Sequence, residues 1–437
     1  MAATLWWMPL MSTHEAGGGH RVALARIFSL ICPQAQLFHV LQAHFGGTLV
    51  YCGKAQRLAI NPNRPLISLT NLSWRLSACV ALLLSAFAAG CGGGSGTSAP
   101  AGVATCPAVA QLEAAMTAQL SQAESEVDFS FAVERKDGRR YNYNRGASTL
   151  QKSYESASTS KLVAAVVIMR VVEQGYLSLE QRPQDLIEAW PIVSSDPLYG
   201  MTLRHLLSLT AGFTQDPPCL DSATSDFEAC VIEAANVNAG NGSTAGLQFI
   251  YVSADHQVAG LMAVKARGAS WEEIFTEFKT QTGLFAGSAF DVPSISNPLM
   301  GGGMHVTGAD YMDFLKALKD GALLNAASMS ELLTDHTASV EIVFSPILQG
   351  IQGDPGLGED WHYGFGLWHE CRSAVFNCVP ATRVSSPGNF GSYPFWDRSK
   401  DYTGVVARQG APGHVTTGIA IERSVRSEVE QWAACSS

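Results

Sequence analysis

Ser158-Thr159-Ser160-Lys161 is the segment of this 437-residue chain whose residue types and spacing most directly invite chemistry. Residues three apart on a helix are neighbours, so Ser158 and Lys161 would lie side by side. A serine hydroxyl is a poor nucleophile until a base takes its proton. A lysine amine can be that base when burial or nearby positive charge lowers its pKa. The start of a helix also favours negative charge developing beside it. The pair therefore points to acyl transfer through a covalent intermediate. Taken alone, so short a pattern arises easily by chance, and a serine ahead of a helix is commonly just a cap.

The elements that must position this pair can be read from periodicity. Lys161–Gly175 carries Leu162, Val166, Met169 and Val172 on one helical stripe, with Gly175 suited to the C-terminal cap. Upstream, Val109, Leu112, Met116 and Leu120 share a face of a helix predicted over Pro107–Glu124. Val127–Glu134 alternates like a strand, Asp137-Gly138 signals a hairpin turn, and Arg139–Arg145 is the return strand. The middle, Leu186–Thr282, reads as short helical patterns broken by Gly/Pro loops. Strand-like runs return at Tyr363–Glu370, Gly404–Arg408 and Thr416–Glu422. This order predicts an α+β fold: an antiparallel sheet flanked by helices, with a helical insertion at about residues 186–300.

The stretch Tyr154–Leu177, Y-E-S-A-S-T-S-K-L-V-A-A-V-V-I-M-R-V-V-E-Q-G-Y-L, resembles the nucleophile helix of the serine β-lactamase-related family. That family includes class C β-lactamases, D-Ala-D-Ala carboxypeptidases and related esterases. Three further segments resemble its motifs in the right order: Thr202–Gly212 (T-L-R-H-L-L-S-L-T-A-G), Gly302–Asp310 (G-G-M-H-V-T-G-A-D) and Tyr363-Gly364-Phe365-Gly366. The resemblance covers about residues 106–437 and implies a β-lactamase/transpeptidase-like fold with Ser158 as nucleophile and Lys161 as base. It implies a second motif, Y-x-N, met by Tyr251 with Ser253 where Asn is expected. Ser253 can still donate and accept a hydrogen bond, over a shorter reach. It implies a third, K-T-G or H-x-G, on a strand facing the substrate. Arg408-Gln409-Gly410 is the best match, His414 a near rival. Arg408 would fork onto a substrate carboxylate, Gly410 would admit close backbone approach, and the N–H groups of Ser158 and Ala411 would form the oxyanion hole.

The implied function is an exported serine hydrolase acting on an amide, β-lactam or ester carbonyl, with peptidase or esterase activity ahead of efficient β-lactam hydrolysis. The departures at Ser253 and Arg408 motivate an alternative: an inactive envelope lipoprotein that binds peptidoglycan or a protein partner. No cofactor is expected. No Cys or His spacing suits zinc, and His205, His256, His305, His362 and His414 form no recognisable ligand set or triad. Asp310 is expected to cap a helix over Tyr311–Lys319.

Composition separates two kinds of material. Net charge is −10, which argues against a nucleic-acid partner. Residues 1–90 carry six Lys/Arg and one acid, leaving 22 basic and 37 acidic residues to the remainder. The thirteen-residue apolar run Ala78–Gly90 has the length of a signal h-region and is too short to span a bilayer. Ala88-Ala89-Gly90-Cys91 resembles a lipobox, with Cys91 as the lipidated residue and a Gly/Ser-rich tether over 91–105. Residues 72–90 are thus expected to be a lipoprotein-type signal, residues 1–71 a mispredicted extension, and 106–437 the hydrolase domain, tied to the membrane of the bacterial envelope by a lipid. Of the remaining cysteines, Cys219–Cys230 and Cys371–Cys378 are the natural local disulfides, leaving Cys106 for Cys435.

Overall fold

The hairpin signalled by Asp137-Gly138 forms as expected: β1 (Ser130–Arg135) pairs antiparallel with β2 (Arg140–Asn144), and Gly138 takes the left-handed conformation the turn requires. The computed structural model describes residues 107–435, so the signal, tether, Cys91 and Cys106 lie outside the described residues.

In chain order the remaining strands are β3 (Ser153–Glu155), β4 (Gln248–Ile250), β5 (Ala289–Phe290), β6 (Pro293–Ser294), β7 (Asn297–Pro298), β8 (Met304–Thr307), β9 (Glu341–Phe344), β10 (His362–Tyr363), β11 (Trp368–His369), β12 (Arg383–Ser385), β13 (Tyr393–Asp397) and β14 (Tyr402–Ala407). The α-helices are α1 (Val109–Gln122), α2 (Ser160–Glu173), α3 (Leu203–Leu207), α4 (Phe227–Asn238), α5 (Ala254–Arg267), α6 (Trp271–Thr282), α7 (Gly308–Lys319), α8 (Ala326–Leu332), α9 (Pro346–Gln349) and α10 (Val415–Ala434).

The main sheet is antiparallel throughout, in the order β10-β11-β12-β13-β14-β1-β2. Every residue of β1 and β14 is buried, because both faces of the sheet are covered. Alternation divides the side chains between the faces. Phe131, Val133 and Val406 join Met116 of α1 and Ile419, Val425 and Trp432 of α10. Ala132 and Val405 meet Met312 of α7 on the other side. A second core surrounds α2, which is buried on nearly all sides by the helices inserted between β3 and β8. The α+β expectation and the helical insertion therefore hold, and both local disulfides are present.

Four sequence readings change. Tyr363–Glu370 is not one strand: β10 and β11 form a hairpin in which Tyr363 pairs with Trp368. Thr416–Glu422 belongs to α10 rather than to a strand. Its β-branched residues suggest extension, but Val415, Ile419, Glu422, Val425, Val429 and Trp432 are buried at helical spacing along the sheet. Strands β12 and β13 were not read from the sequence at all; β12 is only three residues long. Asp310 is not the cap of α7. Thr307 caps it, its Oγ1 accepting the Asp310 N–H at 3.0 Å, and the Asp310 carboxylate accepts from Ser288 instead.

Candidate active site

Ser158 sits in a single 3-10 turn, Ala157–Thr159, between the end of β3 and the first turn of α2. Ala157 has φ +48°, in the left-handed region that a side-chain-bearing residue rarely occupies. Strain of this kind persists only where surrounding contacts over-determine it. Here they do. Ser160 Oγ donates to Ala157 O at 2.7 Å and accepts the Met304 N–H of β8 at 3.1 Å. The Ser156 N–H donates to Met304 O at 2.9 Å, and the Tyr311 hydroxyl of α7 donates to Thr159 O at 2.8 Å. The turn is thus held by β8 and α7, and Ser158 stays half-exposed on a cleft of about 350 Å³.

Lys161 lies one turn behind it and is fully buried. Its Nζ is 3.2 Å from Ser158 Oγ, 3.4 Å from Ser253 Oγ and donates to Gly301 O at 2.8 Å. A Cβ on Gly301 would stand 2.8 Å from Ser253 Cβ and 3.1 Å from Lys161 Nζ, so only glycine admits the lysine here. A Cβ on Gly366 would stand 2.4 Å from Lys161 O, which places the Tyr363–Gly366 segment against the same helical turn. No carboxylate lies within ion-pair distance of the ammonium among the described residues. Burial therefore dominates and pulls Lys161 down to about 8, with the more distant Asp216 and Asp255 acting the other way. An appreciable fraction of such a lysine is a free base near neutrality.

Tyr251 completes the group. Its ring centroid is 4.8 Å from Lys161 Nζ, and the ring stacks on Trp368 of β11 at 5.1 Å. Burial pushes its hydroxyl up to about 12, against the lowering influence of the Ser158 and Trp368 side chains. Ser253 follows two residues later at the start of α5. Its N–H donates to the Asp216 carboxylate at 2.8 Å, as does that of Ala254 at 2.8 Å. These are orphan donors of a helix N-terminus, and Asp216 satisfies them from a neighbouring loop. Behind them, Asp255 and His256 are fully buried, and none of their side-chain polar atoms has a hydrogen-bond partner among the described residues. Burial and Asp216 hold the Asp255 carboxyl well above the usual range, while burial and Lys161 hold His256 well below its own.

The substrate-facing strand is not where the sequence placed it. Arg408 is fully buried after β14, its guanidinium paired with Glu126 and donating to Phe390 O at 3.0 Å. It threads between two glycines: a Cβ on Gly391 would stand 1.7 Å from Arg408 Nη1, and one on Gly410 2.7 Å from Nη2. Arg408, Gly410 and Ala411 are not among the residues lining the cleft. The reason is topological. Strands β12 and β14 both lie inside the sheet, two places apart; the chain leaving β14 turns Arg408 onto Glu126, whereas the chain leaving β12 runs past Ser158. That chain is Ser386-Pro387-Gly388-Asn389. A Cβ on Gly388 would stand 2.3 Å from Ser156 O, and Ser386 Oγ is 3.4 Å from Ser158 O and 3.0 Å from Gly366 O. Pro387, Asn389 and Phe390 line the cleft. Gly388 thus fills the glycine of the third motif, with Ser386 where its cation or donor would stand. The sequence signal was Pro387-Gly388 ahead of a strand; looking for a cation drew the reading to Arg408. Asp216 and Trp368 were also missed, because neither belongs to a motif near Ser158 in the chain. Among the described residues, no group of three or more His, Cys, Asp or Glu side chains could hold a metal ion.

Residues 130–423, about two thirds of the chain, match the family model described as Beta-lactamase. This chain belongs to the beta-lactamase family. The fold of that family recurs in solved structures of low identity. A candidate β-lactamase from Bacteroides dorei is 21% identical with a TM-score of 0.60, over 74% of this chain and 99% of the other. EstCE1, a hydrolase with promiscuous acyltransferase activity, is 18% identical with a TM-score of 0.56, over 72% of this chain and 98% of its own. In sequence, penicillin-binding protein 4 of Amycolatopsis lactamdurans is 24% identical over 127 residues, which are 29% of this chain and 33% of that protein. The chain thus matches about a third of the length of that curated relative. The beta-lactamase family comprises serine acyl-transferring hydrolases, esterases, acyltransferases and amidohydrolases among them.

Proposed function

We propose that the protein is an acyl hydrolase in which Ser158 is the nucleophile and Lys161, coupled to Tyr251, is the base. The observation that carries this reading is a buried amine without a carboxylate partner, lowered to about 8, at 3.2 Å from Ser158 Oγ. In acylation, Lys161 Nζ takes the Ser158 proton as Oγ bonds to the substrate carbonyl carbon. The carbonyl oxygen gains the negative charge. The Ser158 N–H is one donor for it. The Asn389 N–H is the second candidate: it has no acceptor among the described hydrogen bonds, and it replaces Ala411, which lies away from the cleft. Collapse of this intermediate expels the amine or alcohol, which receives the proton from Lys161 by way of Tyr251. Water then repeats the sequence on the ester and releases the acid.

Ester and amide substrates fit better than β-lactams or D-Ala-D-Ala peptides, which carry a carboxylate that this cleft offers no dedicated cation to bind. Ser253 and Ser386, standing where the motifs have stronger substrate-binding groups, support a second reading in which the site binds without turnover. A fluorophosphonate probe separates the two. Covalent addition to folded protein, lost in Ser158→Ala, supports the hydrolase; no addition supports the binder. Export and lipidation at Cys91 belong to this proposal, and intact-mass measurement of the native protein tests them.

A further inference from the structure

Resting on the Ser158 site proposed above, we infer that the cleft selects acyl substrates carrying an ammonium group beside an apolar chain, and selects against carboxylates. Three acidic side chains line the cleft, Glu155, Asp216 and Asp221, and no Lys, Arg or His does. Lys161 is committed behind Ser158, and Arg408 is spent on Glu126. The acids are incompletely compensated. Asp221 has no ion-pair partner among the described residues, and the basic side chain beside Glu155 is the imidazole of His305 at 3.9 Å. Asp216 is pushed up by its packed surroundings and by Asp221, and held down by Lys161 and two backbone N–H groups. Asp221 stands inside the loop closed by the Cys219–Cys230 disulfide, and Asp216, three residues ahead of that loop, is docked onto the start of α5. They are therefore presented on a fixed segment rather than on a free tip.

The rest of the lining mixes apolar side chains, Ile351 and Phe390 among them, with the uncharged polar groups of Ser253, Gln352 and Asn389. Negative potential focused in a low-dielectric cleft raises the local concentration of cations and repels anions. An aminoacyl ester or amide with a short methylene chain matches both features.

The experiment compares 4-nitrophenyl esters of 6-aminohexanoate, hexanoate and adipate at pH 7.5 and low salt, on the folded protein. These differ in end-group charge at similar length. The expected order of kcat/KM is ammonium, neutral, carboxylate, with about tenfold between successive members at low ionic strength. Asp221→Asn should reduce the ratio of ammonium to neutral kcat/KM several-fold. Raising salt should compress the wild-type series, which checks the same claim without a variant. Hydrolysis of all three esters at similar rates, or a preference for adipate, would overturn the inference while leaving the hydrolase standing. Absence of hydrolysis together with absence of fluorophosphonate labelling overturns both.

Discussion

The molecule buries charge in two places and treats it in opposite ways. At one end of β12, Arg383 is surrounded by Glu370, Asp397 and Glu422, with Arg426 on the far side of Glu422. Arg383 donates to Glu422 at 2.6 Å and to the Tyr402 hydroxyl at 2.8 Å, and every one of these charges has an opposite charge within 4.0 Å. Although burial opposes it, the carboxylates hold the Arg383 guanidinium well above its usual value. Beyond the other end of β12, Lys161 is equally buried, but among the described residues its ammonium meets two hydroxyls, a carbonyl and the Tyr251 ring, with no carboxylate at ion-pair distance. Its pKa moves the other way, to about 8. The side chains of Asp255 and His256, just behind it, have no hydrogen-bond partners among the described residues. Paired buried charge ties the short strand β12 to α10. Unpaired buried charge leaves a base able to change protonation state near neutral pH.

The largest effect separating the two regions should come from activity. Lys161→Met should lower kcat/KM on an ester by about 10³-fold or more, as loss of a catalytic group does elsewhere. Arg383→Met in the other cluster should leave kcat of the folded fraction near wild type.

Stability should show the reverse. Arg383→Met strands three carboxylates and should cost about 3–5 kcal/mol in denaturant unfolding. Lys161→Met should stabilise at neutral pH, by up to about 3 kcal/mol, because the folded state holds the amine at about 8 against an ordinary 10.5. Unfolding then takes up a proton, so the penalty is full below pH 8 and fades as pH rises towards 10.5. The stability gap between variant and wild type should close over that window. A gap that is constant with pH, or of opposite sign, would break the contrast.

A pair of substitutions sharpens where the site ends. Gly388→Ala forces a Cβ onto Ser156 O and should reduce kcat/KM by about 10²-fold, the scale of an ångström-level misplacement. Arg408→Ala, behind the lining residue Phe390 rather than on the cleft, should cost about 1–3 kcal/mol of stability by removing one of the two donors to Phe390 O and emptying the space between Gly391 and Gly410. Its kcat/KM should change less than threefold on the scale of a residue touching no substrate. The smallest effect is the pH profile: kcat/KM should rise with pH to a plateau, with a midpoint near 8, as Lys161 loses its proton. A midpoint near 6 would assign the base elsewhere.

Local order was legible and long-range assembly was not. The first turn of α2, the hairpin of β1 and β2, and the buried face of α1 follow from residues close in the chain, where helical and strand periodicity act directly. The helical run of α10 was obscured because Val415, Thr416, Thr417 and Ile419 favour extension until the sheet surface they cover is known. The buried Arg383 cluster draws on β11, β12, β13 and α10, so no single stretch of sequence announces it.

That Ser158 and Lys161 meet was legible in the sequence, because residues three apart need only one helical turn to do so. Tyr251 followed from the spacing of a motif. Which strand faces them was decided by tertiary structure alone. Arg408 has the charge the third motif calls for, yet the chain leaving β14 turns it onto Glu126. Gly388 lacks any charged neighbour, yet the order of strands carries it to the nucleophile. A motif can state which groups chemistry needs; only the pairing of strands states which copy of a short pattern arrives.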